Sequence, residues 1–150
     1  MIYLDTSAFL KLYVRERVSA VVAERVEAQD EPLPIWDVLE AEFINAFHLK
    51  IFREEITPEQ AAAQIELFTS RKRRGLYFVP ELDRVALMDT FRKMTRRTAE
   101  LGCRTMDILH VACALQLSVD TFMSFDQRQR ALGRAMGLHV LPASEAEPSQ

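Results

Sequence analysis

Four acidic positions stand out by where they fall. Asp5 follows the apolar run Ile2-Tyr3-Leu4, Asp126 follows Phe122-Met123-Ser124-Phe125, and a helical pattern begins after each. Asp107 lies in the first turn of Thr105 to Leu117, whose apolar residues cover almost the whole circumference at about 100° per residue, as in a helix buried nearly all round. The helix dipole favours a carboxylate there, yet a buried charge without a partner is costly, so Asp107 must face a cation or water in a cleft. The fourth acid comes from Asp37 to Leu49, where Glu40 and Glu42 both have apolar neighbours on the wheel. Periodicity does not choose between them.

Carboxylates gathered within a few ångströms repel one another and take up protons unless a divalent cation neutralises them. An all-oxygen set suits Mg2+ or Mn2+, and the sequence has no Cys/His cluster of the kind that binds zinc. Such an ion polarises a phosphate oxygen and activates water, the chemistry of phosphodiester hydrolysis. The competing role for Asp5 and Asp126 is helix capping, which Thr6 and Ser7 can take over beside Asp5. Thr6, Asn45 and Ser124 are placed to orient carboxylates or hold water, and His110 shares a helix face with Asp107 as a supporting residue. Lys11, Arg104 and Arg128 lie close in sequence to the acids and are candidates for phosphate contacts. The basic run Arg71 to Arg74 reads as a solvated helix end, with phosphate contact as the alternative there and for Arg92 to Arg97.

These side chains need a scaffold that brings strand ends and helix starts together. The apolar runs predict strands at residues 2–4, 33–36, 76–79, 121–125 and 138–141. Helical patterns cover residues 7–14, 18–28, 37–52, 58–74, 83–101, 105–117 and 126–136. Thr57-Pro58-Glu59-Gln60 carries a capping box with proline at the first helical position. Short strands alternating with helices predict a parallel sheet with right-handed crossovers, in a three-layer α/β/α, Rossmann-like domain. In such folds the strand C-terminal ends and helix N-termini share the edge where ligands bind. The expected organisation is one domain over residues 1–141 and a flexible tail over 142–150.

The 150 residues carry 19 Lys plus Arg against 22 Asp plus Glu, a net charge of −3, which argues against binding nucleic acid by bulk charge. Cys103 and Cys113 are too few for a disulfide scaffold and read as buried free thiols. No apolar stretch approaches the ~18 residues of a membrane span, so the expected location is the cytoplasm.

Three segments resemble the PIN-domain ribonucleases, in particular the VapC toxins of toxin and antitoxin pairs. They are Ile2-Tyr3-Leu4-Asp5-Thr6-Ser7-Ala8-Phe9-Leu10, then Glu42-Phe43-Ile44-Asn45-Ala46-Phe47 with Phe52 to Thr57, then Cys103 to Ala112 with Thr121 to Gln129. Each motif is weak alone; all four acids in order over most of the chain form a specific pattern. The resemblance selects Glu42 over Glu40. It implies a PIN fold with a central, mostly parallel sheet and a Mg2+- or Mn2+-dependent endoribonuclease site built from Asp5, Glu42, Asp107 and Asp126. It further implies an RNA substrate of the tRNA or rRNA class, a homodimer, and a VapB-like antitoxin that masks the site. Phe43 and Phe47 are bulkier than the motif leads one to expect. Two rival functions remain: a non-catalytic PIN-fold module that binds RNA or protein, and an aspartyl-phosphate phosphotransfer enzyme. The second would want an acid two residues after Asp5, where Ser7 stands.

Overall fold

The computed structural model describes residues 1–143; the rest of the expected tail, 144–150, lies outside the described residues. The chain forms two compact units, one from residues 1–8 and 81 onward, the other from residues 9–80.

The first unit is built on three short strands, β1 (Ile2–Leu4), β4 (Thr121–Met123) and β5 (Val140–Leu141), in the order β1-β4-β5 and parallel throughout. Leu4 sits opposite Met123, so Asp5 and Ser124 leave the sheet side by side. The four-residue helix α1 (Thr6–Phe9) follows β1 directly, and α7 (Thr105–Gln116) packs against both α5 (Arg84–Met94) and α8 (Gln127–Ala135). Val111, Ala112, Cys113 and Ala114 are all buried on α7, as its all-round apolar pattern requires. Tyr3 stacks on Phe122 at 5.7 Å between ring centroids. Gly133 permits the close approach of α8 to the sheet, since a Cβ there would stand 3.0 Å from Val140 Cγ2.

The predicted helix over 83–101 is interrupted. After α5 the chain passes through a 3-10 turn, Thr95–Arg97, and a short α6 (Thr98–Leu101) that Gly102 closes with φ of 65°. Thr95 explains part of this: its hydroxyl donates to the Arg92 carbonyl at 2.7 Å, a back-bond that competes with the helical ladder. Cys103 and Cys113 are free and buried as expected, and burial pushes the Cys113 thiol up to about 12. Pro142 and Ala143, assigned by sequence to the flexible tail, are held by guanidinium groups: Arg130 donates to the Pro142 carbonyl at 2.8 Å and Arg134 to that of Ala143 at 3.1 Å.

The second unit contains a 3-10 turn over Leu10–Leu12, α2 (Ser19–Glu27), β2 (Leu33–Pro34), α3 (Asp37–Phe52), α4 (Pro58–Arg73) and β3 (Tyr77–Phe78). Strands β2 and β3 pair in parallel. Pro34 is tolerated because the ladder takes its donors from Leu33 and Ile35, which bond to the Leu76 and Phe78 carbonyls at 3.0 and 2.8 Å. The capping box of α4 is formed: Thr57 Oγ1 accepts from Gln60 N–H, and Gln60 Oε1 accepts from Thr57 N–H. Phe43 and Phe47 are fully buried with Phe9, Tyr13, Phe68 and Tyr77, mostly edge to face, with centroid distances such as 4.8 Å for Tyr13 and Phe43. Their bulk on the acidic motif is thus the bulk of an aromatic core. Among the described residues no helix is long and apolar enough to cross a membrane.

Candidate functional site

Asp5 is fully buried at the end of β1, where its backbone N–H donates to the Met123 carbonyl at 3.0 Å. Its Oδ1 accepts from Ala8 N–H at 2.8 Å and from the Ser7 hydroxyl at 2.7 Å; its Oδ2 accepts from the Ser124 hydroxyl at 2.7 Å. Asp5 therefore caps α1 itself, which corrects the assignment of that duty to Thr6 and Ser7. Ser7 instead supports the carboxylate and accepts from Phe125 N–H at 2.8 Å. Burial raises the Asp5 carboxyl above its ordinary range, an effect opposed by His110 and by the bonds from Ser124, Ser7 and Ala8.

Ser124 joins Asp5 to Asp126, for its Oγ also accepts from Asp126 N–H at 3.0 Å. Asp126 caps α8 through Oδ1, which accepts from Arg128 and Gln129 N–H at 2.9 and 3.1 Å. The capping role weighed for both aspartates is thus real, and it leaves Asp126 Oδ2 to turn elsewhere. That oxygen accepts from Arg104 Nη2 at 2.9 Å. Asp107, only 1% exposed, meets the same guanidinium: Oδ2 accepts from Arg104 Nε at 3.2 Å and from Arg104 backbone N–H at 2.7 Å, and Oδ1 from Nη2 at 3.3 Å. Of the two surroundings expected for buried Asp107, a cation or water in a cleft, the structure shows a cation, Arg104.

His110 is buried, with Nδ1 2.7 Å from the Tyr3 hydroxyl and Nε2 3.2 Å from Thr6 Oγ1. It ties α7 to β1 and to the residue after Asp5, a supporting place in the core. Gln129 was not anticipated. Its Nε2 donates to Asp107 Oδ1 at 3.4 Å, while its buried Oε1 lacks a hydrogen-bond partner. The sequence signal was its position three residues after Asp126, on the same face of α8.

The remaining expected residues are described within their own units. Glu42, half-buried, and Asn45, exposed, are on α3 of the second unit; Glu40, its rival, is paired with Lys72 at 2.5 Å. Lys11 pairs with Glu16, and Arg128 is exposed. Arg71 covers the Tyr13 ring at 4.8 Å, Arg73 pairs with Glu66, Arg92 with Asp89 and Arg97 with Glu100, so these basic runs have local partners.

Among the described residues no three Asp, Glu, His or Cys side chains form a set that could hold a metal as they stand. Asp5 is turned to its hydroxyl and amide donors, and Asp107 and Asp126 to Arg104. The donor chemistry nevertheless fits a hard divalent cation. The groups are carboxylate oxygens with a buried, unpartnered amide oxygen beside them, and a positive group already stands between two of the acids.

Parallel strands whose C-terminal ends deliver acids to helix starts define an α/β protein with its site on the sheet edge. The family model that describes the PIN domain matches residues 2–135, and the chain belongs to that family. Its fold class is accordingly the three-layer α/β/α arrangement that the strand and helix order predicts. Comparison with curated protein sequences gives no match. Among solved structures, the chain resembles VapBC-1 from nontypeable Haemophilus influenzae, with a TM-score of 0.64 and 21% identity over 93% of this chain and 96% of that one. It resembles FitAcB from Neisseria gonorrhoeae with the same TM-score and coverage at 16% identity.

Proposed function

We propose that this chain is a Mg2+- or Mn2+-dependent endoribonuclease that acts as the toxin of a toxin and antitoxin pair. The observation that carries the reading is the bonded chain Asp5, Ser124, Asp126, Arg104, Asp107 at one edge of a PIN domain. Asp5, Asp107 and Asp126 are the proposed ligands there, and Glu42 joins them on the strength of its sequence motif. When bound, the ion supplies a Lewis acid for the phosphodiester and lowers the pKa of an attacking water. Ser7 and Ser124 fix the Asp5 carboxylate, His110 and Thr6 brace the turn that carries it, and Gln129 orients Asp107. RNA of the tRNA or rRNA class, a VapB-like antitoxin, a homodimer and a cytoplasmic location are proposed from the resemblance to VapC toxins, and the likeness to VapBC-1 agrees with it.

An aspartyl-phosphate mechanism is disfavoured, because Ser7 occupies the place where the second acid is needed and donates to Asp5 Oδ1. A non-catalytic module is disfavoured by the presence of all four acids. Purified protein should cleave RNA in Mn2+ or Mg2+ and stop when a chelator is added; cleavage that persists in chelator contradicts the proposal. Expression of the chain alone should slow growth, and Asp107→Asn should restore it. Equal growth of the two strains counts against the toxin role.

A further inference from the structure

Arg104 is a candidate for phosphate contact by sequence, but its guanidinium is engaged by Asp107 and Asp126. The residue is the N-cap of α7, in an extended conformation with φ −88° and ψ 164° that lets the side chain fold back over the first turn. From there Nε and Nη2 span both oxygens of Asp107, and Nη2 also reaches Asp126 Oδ2. The two ends of this arrangement differ in accessibility. The Arg104 side chain is 62% exposed, while that of Asp107 is 1% exposed and that of Asp126 25%.

A buried carboxylate such as Asp107 needs a positive partner, and removing one without replacement leaves an uncompensated charge. The guanidinium, by contrast, is on the solvent side of the pair and has water to rotate into. If it does, the Arg104 backbone N–H still caps Asp107 at 2.7 Å, so α7 keeps its start. The guanidinium and a divalent ion would need the same lone pairs on Asp107 Oδ1 and Asp126 Oδ2. Two cations cannot share those oxygens, so each lowers the apparent affinity of the other.

We propose that Arg104 is an internal counter-ion that competes with the divalent metal for Asp107 and Asp126, holding the metal-free site closed and turning out to solvent as the metal enters. The inference rests on the metal-dependent reading above and adds a regulator to it. Arg104 is a positioning residue here: it acts on the carboxylates, and its pairing sets how much free metal the site requires.

The test is Mn2+ binding, read as free Mn2+ by electron paramagnetic resonance, with wild type, Arg104→Met and Arg104→Lys. Arg104→Met should bind Mn2+ about fivefold tighter than wild type, the scale of an ion pair whose basic partner is mostly exposed. In chelator it should also melt at a lower temperature than wild type, because Asp107 has lost its partner. Arg104→Lys, which keeps the charge but not the fork, should fall between the two and serves if the methionine variant does not fold. Mn2+ bound by wild type and by the variants with equal affinity, or more weakly by the variants, overturns the counter-ion role alone. A wild-type protein that binds no Mn2+ overturns the metal reading and this inference with it.

Discussion

In the second unit, Phe9, Tyr13, Phe43, Phe47, Phe68 and Tyr77 fill the interior with rings; in the first, the interior also holds Asp5, Asp107, His110, Ser124, Gln129 and Arg130. Among the described residues, all the buried Asp, His, Ser, Gln and Arg side chains belong to the first unit. The aromatic core follows from size and hydrophobicity. The polar one does not, since desolvating carboxylates costs stability that apolar replacements of similar volume would avoid. A fold that nevertheless buries Asp5 and Asp107, each held by hydrogen bonds, at one sheet edge is what the proposed site requires.

The contrast can be broken first in the second unit. Phe43 is fully buried against four other rings, and Phe43→Ala should destabilise the protein by about 3–5 kcal/mol, measured by urea unfolding. A loss under about 1 kcal/mol would mean that the ring cluster is not the core of that unit. The smaller effect, of opposite sign, belongs to Asp5. Burial raises its folded-state pKa, so its stabilising contribution is complete below the unfolded pKa and is lost as pH rises through the folded one. In chelator, Asp5→Asn should therefore melt higher than the parent at neutral pH, and the difference should shrink as the pH falls toward the ordinary carboxylate range. Parallel pH profiles for the two proteins would contradict this.

Much of the fold was legible because its signals are local. The strand Ile2–Leu4 and the helix Asp37–Phe52 occur at their expected ends, and the Thr57 and Gln60 capping box is formed as read. The break at Thr95 was not legible, since neither glycine nor proline marks it and part of the cause is one hydroxyl choosing a carbonyl. At the site, the all-round apolar pattern of the helix required Asp107 to face a cation or water in a cleft but did not identify Arg104 as that cation. The answer depends on the extended N-cap conformation that folds the side chain back, which residue type does not dictate. Gln129 was missed for a similar reason: its neighbours Gln127 and Arg128 are exposed, and only the packing of α8 buries this one amide beside Asp107.

The central claim is that this polar edge is a metal-dependent nuclease site, and RNA cleavage by Asp107→Asn in Mn2+ tests it most directly. That substitution keeps the shape of the side chain and removes its charge. The parent should cleave and Asp107→Asn should be slower by about 100-fold or more, beyond what loss of a supporting contact produces. Cleavage by Asp107→Asn at the parental rate would contradict the claim.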